Sequence, residues 1–206
     1  MTHYFKNDET LKSEFRNLIY KYEGFTFNFT SDLGVFSKDR IDFASKLLIE
    51  TYFKYGNSHK KALDVGCGYG LIGITLAKIK NCNLTMIDIN KRALHLTKMN
   101  LKENGAEARV IESNIYENIK EKFDVIITNP PIRAGKDVYM TIIRDSFKYL
   151  DPNGELWFVM NKDHGVKTVI KELERTYDLH ILEKSKGFFV IMCKNRWLLT
   201  FLLIKF

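Results

Sequence analysis
From Lys60 onward the chain alternates short apolar runs with longer amphipathic stretches, and this alternation restricts its possible folds more than any other feature. Strand-like runs occupy Ala62–Val65, Leu84–Ile87, Arg109–Ile111, Phe123–Thr128, Leu156–Met160, His180–Leu182 and Phe188–Met192. Between them the spacing predicts helices over Leu71–Ile79, Lys91–Asn104, Lys136–Leu150 and Val166–Thr176. Strands that take turns with helices pair in parallel, with right-handed crossovers that cover both faces of the sheet. The last two runs lie close together around Lys186-Gly187, which suits an antiparallel hairpin at one edge. The expected fold is therefore α/β, a mostly parallel seven-stranded sheet with an antiparallel edge hairpin. Asn104-Gly105 reads as a helix C-terminus and Asp151-Pro152-Asn153-Gly154 as a turn.

Ahead of this region, Phe25, Phe27 and Phe29 alternate with Thr26, Asn28 and Thr30 after a Glu23-Gly24 turn, which predicts a hairpin with the Leu18–Tyr22 run. A helix is expected from about Asp39 to Tyr55, capped by Ser37 or Asp39, with Ala44, Leu47, Leu48, Thr51, Tyr52 and Tyr55 on one stripe. The 206 residues suit one domain: an N-terminal hairpin and helix over 1–58, a core over 59–194 and an apolar extension over 195–206. With 45% hydrophobic residues the chain can bury enough surface to exclude whole-chain disorder. Its formal charge of +7 favours a polyanionic partner such as nucleic acid.

Cys67, Cys82 and Cys193 form no CxxC pair, so a reducing, cytoplasmic location is expected, and the five histidines show no metal-ligand spacing, so no metal is expected. The polar start MTHYFKNDET lacks the apolar core of a secretory signal. The eight-residue run Trp197–Ile204 is far short of a membrane span and is expected to pack on the body or against a second copy as a homodimer contact.

Two motifs carry chemistry. Leu63-Asp-Val-Gly-Cys-Gly-Tyr-Gly70 closes the first core strand and opens a helix, where open parallel sheets bind ligands. Its glycines allow a tight turn and close approach of backbone to ligand. Asp88 ends the next strand, 20 residues beyond Gly68, where a carboxylate can accept hydrogen bonds from both ribose hydroxyls of a nucleoside. The loop alone leaves NAD open as the ligand.

The second motif, Asn129-Pro130-Pro131-Ile132, directly follows the strand Phe123–Thr128. Two prolines fix the backbone and remove two donors, so the carbonyls there are rigid and free of the sheet. The Asn129 side-chain oxygen and the Pro130 carbonyl are two acceptors suited to an exocyclic amino group, which offers two N–H donors. Such a pair holds the amine with its lone pair facing a methyl donor and stabilises the positive charge that develops on nitrogen.

On these residues the chain resembles the class I S-adenosylmethionine-dependent methyltransferases, and more closely their small-domain family that includes the small-subunit ribosomal RNA guanine-N2 methyltransferases. The matching stretches are Thr30–Ser37, Leu63–Gly70, Asp88–Asn90, Ile127–Gly135 and Gly154–Trp157, which together reach across roughly residues 1–194. The resemblance implies a Rossmann-like methyltransferase fold and S-adenosylmethionine as cofactor. It implies that Asp64, Gly66, Cys67, Gly68 and Gly70 meet the methionine part, Asp88 the ribose, and Ile89 and Asn114 the adenine. Asn114 stands where the family often has an aspartate, and Ile132 where amino-methyltransferases commonly carry an aromatic. Asn129, Pro130 and Pro131 would then orient the target amine, and Phe36 and Ser37 would line the pocket.

Arg133 and Lys136 follow the prolines, and Lys38 and Arg40 follow Phe36-Ser37, so basic groups are expected to hold RNA phosphates around the site. The implied substrate is an exocyclic amine of RNA, guanine N2 of small-subunit rRNA first. Two other readings stay open: a glutamine-N5 methyltransferase acting on a protein such as a release factor, and a non-catalytic cofactor- and RNA-binding module of ribosome assembly. Ile132 and the positive charge weigh against the former.

Overall fold
The computed structural model of the chain describes residues 12–196. Strands β1 (Arg16–Tyr22) and β2 (Phe25–Ser31) form the expected hairpin, and helix α1 (Phe43–Tyr55) leads into the core. The core runs β3 (Lys61–Val65), α2 (Leu71–Lys80), β4 (Asn83–Asp88), α3 (Lys91–Glu103), β5 (Arg109–Glu112) and β6 (Phe123–Thr128). It continues through α4 (Lys136–Asp145), β7 (Leu150–Asn161), α5 (Val166–Leu173), β8 (Tyr177–Ser185) and β9 (Phe188–Asn195). The seven core strands lie in the order β5-β4-β3-β6-β7-β9-β8, parallel except where β9 meets β7 and β8. This is the Rossmann-like methyltransferase architecture, with the order reversing beside β3, where such sheets place their ligands.

Each face of the sheet buries its own apolar layer. Leu48, Tyr52, Ile74, Leu76, Val125 and Trp157 fill one, and Leu63, Ile126, Ile143, Phe158, Val169 and Ile191 the other. Adjacent residues of β6 and β7 fall in opposite layers, as the two-residue period of a strand requires.

Several boundaries differ from expectation; α5 ends at Leu173 rather than Thr176, and β8 runs Tyr177–Ser185 rather than His180–Leu182. Helix α1 begins at Phe43, and its cap is Asp42, whose carboxylate accepts from Ser45 N at 2.7 Å. Ser37 cannot cap it: at φ +56° its backbone is left-handed, whereas an N-cap residue is extended, as Asp42 is. Helix α4 stops at Asp145 and gives way to a short 3-10 turn, Ser146–Lys148. The expected turn at Asp151–Gly154 is absorbed into β7 as an irregularity, with Phe123 opposite Leu150 but Val125 opposite Glu155. A side chain at Gly154 would come within 2.9 Å of the Phe123 carbonyl, which is why glycine stands there.

The hairpin docks on α3 through two side-chain amides. Asn104 accepts from Asn28 N at 3.0 Å and donates to Asn28 O at 2.8 Å, and Asn100 does the same for Thr30 at 2.7 and 2.9 Å. Four residues of helix rise about 6 Å and two residues of strand about 6.7 Å, so amides at i and i+4 match the strand repeat. After the hairpin, Arg92 reaches the buried Asp32 at 2.7 Å and Asn90 donates to Gly34 O at 3.0 Å, fixing the 32–42 loop onto the start of α3.

At the N-terminal end of the sheet, Glu155 is 2% exposed and gathers four groups. Its carboxylate accepts from Asn57 Nδ2, Trp157 Nε1 and Lys194 Nζ, each at 2.8 Å, and faces His59 Nε2 at 3.4 Å. Burial alone would raise its pKa, but Lys194, Trp157 and His59 hold it below the usual range. The cluster joins the strand end to the segment that follows α1.

No helix among the described residues is long and apolar enough to cross a membrane. The Trp197–Ile204 segment lies outside the described residues.

Candidate active site
The C-terminal ends of β3, β4, β6 and β7 enclose a crevice of about 710 Å³. The two motifs meet there because Thr128, the residue before Asn129, donates its hydroxyl to the carbonyl of Val65, the residue before Gly66, at 2.8 Å. That bond sets the Asn-Pro-Pro segment directly beside the glycine loop.

The loop is pinned to β4 by Gly66 N and Cys67 N, which both donate to Ile87 O at 2.9 and 3.0 Å. Gly66 and Gly68 have φ of +72° and +58°, and a Cβ on either would project into open space. The backbone there is thus bare toward the crevice, a cradle that any other side chain would fill. Cys67 lies in the same wall, and burial pushes its thiol well above the usual range.

Asp88 is held from two sides, Oδ2 accepting from Gly68 N and Oδ1 from Asn90 N, both at 2.9 Å. Burial raises its pKa despite the opposing N–H groups of Asn90, Gly68 and Ile89. Asp88, Ile89 and Asn114 share one wall, and Asn114 Nδ2 is engaged by Glu117 at 2.9 Å, which leaves its oxygen to a ligand. An open glycine cradle with a carboxylate and an apolar side chain beside it suits a nucleoside that carries an amino-acid tail, so the residues present fit S-adenosylmethionine.

Asp64 and Gly70 do not line the crevice. Gly70 turns the chain into α2, where an added Cβ would lie 2.6 Å from Ile74. Asp64 is buried behind the loop: Oδ2 accepts from Gly73 N at 2.9 Å, while Oδ1 meets no donor among the described residues. Burial raises its pKa from 3.8 to about 7, against the Gly73 N–H and aided by Asp88. Between those values the folded chain keeps a proton that the unfolded chain has lost, so this group's stabilisation falls as pH rises through that window. Asp64→Asn removes the slope. Its unfolding free energy relative to wild type, from urea titrations, is expected to increase from about pH 5 to about pH 7. A constant difference would show that Asp64 is ionised throughout.

Asn129 Nδ2 donates to Asp42 Oδ2 at 3.0 Å and to Ser45 Oγ at 2.9 Å. Both of its N–H groups are spent on the start of α1. Pro130, Pro131 and Ile132 continue the wall, and Pro131 O accepts from Ala134 N at 2.9 Å to form the 3-10 turn Ile132–Ala134. Among the described residues no hydrogen bond is donated to the Pro130 carbonyl.

Phe36, 48% exposed, and Arg133 also line the crevice. Ser37 and Lys136 do not: the Ser37 hydroxyl is turned into its own loop, donating to Arg40 O at 2.6 Å, and Lys136 begins α4. Of the other basic groups, Lys38 is paired with Asp39 at 2.9 Å. Sequence reasoning missed the wall residues Asp42, Ser45, Asn161, His164 and Phe188. Only Asp42 carried a signal, as a capping residue three positions before a serine. Ser45 follows it on α1, and the others come from the end of β7, the short turn after it and the start of β9, which only the sheet order brings to the site. Beside Phe188, the ring of Phe43 packs 5.7 Å away and carries the Lys186 ammonium 4.7 Å from its centre; neither Phe43 nor Lys186 lines the crevice.

Among known proteins, the Bacillus subtilis protein YbxB is 39% identical over 198 residues, covering 94% of this chain and 98% of that one. Ribosomal RNA small subunit methyltransferase C of Serratia proteamaculans is 40% identical over 133 residues, 62% of this chain but 38% of that protein. The chain thus spans nearly all of the first and well under half of the second. A solved structure of the T. thermophilus 16S rRNA N2 G1207 methyltransferase, in complex with AdoMet and guanosine, superposes with a TM-score of 0.76. It is 23% identical and covers 93% of this chain and 53% of its own, so it bears on the fold alone. The profile of the Methyltransferase small domain matches residues 26–192, nearly the whole described chain, and the protein belongs to that family.

Proposed function
We propose that this protein is an S-adenosylmethionine-dependent methyltransferase acting on an exocyclic amine of RNA, with guanine N2 of small-subunit ribosomal RNA as its target. The observation that carries this reading is the Thr128–Val65 bond, which sets the amine-gripping segment against the cofactor cradle in one crevice. The likeness to the rRNA small subunit methyltransferases supports the choice of RNA.

The cofactor supplies an electrophilic methyl group at its sulfonium. The protein's part is placement: Gly66 and Gly68 admit the amino-acid end, and Asp88 accepts from the ribose. Asn129 Oδ1 and Pro130 O accept from the two amine N–H groups and stabilise the charge that develops on nitrogen. Phe36 offers a face for the target base, since Ile132 has none. A base must leave its helical stack to enter so enclosed a site. Arg133 in the crevice wall suits a flanking phosphate.

Asp88→Ala should weaken cofactor binding by roughly 10–100-fold, the scale of losing hydrogen bonds to a charged acceptor. Calorimetry with S-adenosylmethionine checks this, and unchanged affinity removes Asp88 from the ribose. The function is tested by mass spectrometry of rRNA nucleosides from cells lacking the gene. Loss of N2-methylguanosine from the small subunit, restored by the intact gene but not by Asn129→Ala, is expected. Unchanged rRNA methylation overturns the reading, and loss of methylation at a protein glutamine instead, read by mass spectrometry of the proteins of the same cells, would support the protein-directed alternative.

A further inference from the structure
We propose that Asp42 and Ser45 are positioning residues that fix the Asn129 amide with its oxygen toward the target amine, and that the Asp42 charge strengthens that oxygen as an acceptor. The inference rests on the methyltransferase reading above and deepens it.

A primary amide is nearly symmetric in shape, so a half-turn of the Asn129 side chain would exchange acceptor for donor. The oxygen would then point away, and an N–H would face the N–H of the incoming amine. Something must forbid the half-turn. The Asp42 carboxylate does, because it can only accept and lies 3.0 Å from Asn129 Nδ2. With the amide reversed, two oxygens would stand at that distance without a proton between them. The Ser45 hydroxyl takes the second N–H at 2.9 Å, so both donors are satisfied by one face and Oδ1 is left to the other. Ser45 N in turn donates to the same Asp42 oxygen at 2.7 Å, which locks the two partners to each other at the first turn of α1.

Charge adds to geometry. A carboxylate against Nδ2 polarises the amide and increases the negative charge on its oxygen, since hydrogen bonds in a chain reinforce one another. The amine N–H becomes a far stronger donor as its nitrogen gains positive character during methyl transfer. The extra charge on Oδ1 is therefore worth more in the transition state than in the bound substrate, and it acts on kcat. Asp42 and Ser45 belong to the segment before the sheet, whose approach is set by the Arg92–Asp32 and Asn90–Gly34 contacts. The N-terminal segment thus takes part in aligning the reacting amine.

The test uses the full chain, small ribosomal subunits from cells lacking the gene, and methyl-labelled S-adenosylmethionine. Asp42→Asn keeps an oxygen for the Ser45 N–H but loses the charge and the rule against reversal. Its kcat should fall about 10-fold, with KM for subunits and cofactor affinity near wild type. Ser45→Ala should lower kcat by a smaller factor in the same pattern. Calorimetric binding of the cofactor verifies that each variant is folded. In an Asn129→Ala background, adding Asp42→Asn should slow the reaction no further, because residues that act as one unit are not additive. An equal slowing in both backgrounds overturns the proposal, as does wild-type kcat in both single variants while Asn129→Ala is impaired. Full turnover by Asn129→Ala is the separate result that removes the underlying reading.

Discussion

Asn129→Ala is expected to cut kcat by roughly 10²–10³, the scale of losing one preorganised polar contact to a developing charge. Cofactor affinity should barely change, because the glycine cradle and Asp88 are held by bonds to Ile87 O, Gly68 N and Asn90 N that do not involve Asn129. Truncation leaves Asp42 Oδ2 and Ser45 Oγ without the amide, but Asp42 keeps the Ser45 N–H and both side chains line the crevice, so the fold should survive. Asn129→Asp makes a sharper companion. It preserves shape and supplies oxygen acceptors, yet sets a second carboxylate within about one hydrogen-bond length of Asp42 and should also be slow. Single-turnover rates at saturating cofactor, with calorimetry alongside, check both variants. Turnover near the wild-type rate for Asn129→Ala would exclude this side chain from the chemistry.

The largest effect on stability is expected at Glu155, far from the crevice. Glu155→Ala leaves the indole N–H of the buried Trp157 without its acceptor and removes the partner of Lys194, Asn57 and His59. Lys194 is 37% exposed and can turn to water, which limits the loss. Removing one side of a buried pair costs about 3–5 kcal/mol, and the lower end applies here. In a chain of this size about 3 kcal/mol corresponds to a fall in Tm of roughly 6–12 °C, measurable by calorimetry. Glu155→Gln keeps an oxygen for Trp157 and should lose much less. Below their melting transitions both variants should bind cofactor normally, since Glu155 lies opposite Val125, near the end of β6 that is remote from Asn129. A Tm within about 2 °C of wild type for Glu155→Ala would mean that the cluster contributes little.

Much of the core could be read from local pattern. The runs at Phe123–Thr128 and Leu84–Ile87, the glycine loop, Asp88 and the Asn-Pro-Pro segment each carry their signal within a few residues, and each stands where the pattern placed it. The differences arise where distant chain decides. Asp151-Pro152-Asn153-Gly154 has turn composition, but β6 draws it into a strand with a local break in register. Asp42 and Ser45 look like an ordinary helix start, and nothing local says that Asn129 lies 87 and 84 positions away along the chain but within hydrogen-bond reach. Ser37 and Lys136 sit beside wall residues in sequence, yet a left-handed residue and a helix start turn them aside. Adjacency along the chain is a poor guide in loops, where one backbone angle redirects a side chain.

The paired amides of Asn100 and Asn104 have a consequence for how the molecule behaves in a crowd. A two-stranded ribbon is a ready template for recruiting a stray extended peptide, and such recruitment seeds fibrous aggregates. Along the outer side of β2, the positions such a peptide would need at Asn28 and Thr30 are already taken by a helix that imitates a neighbouring strand. An intruder would have to evict four hydrogen bonds to pair along Asn28 and Thr30, so this stretch of the ribbon's flank is closed to self-association.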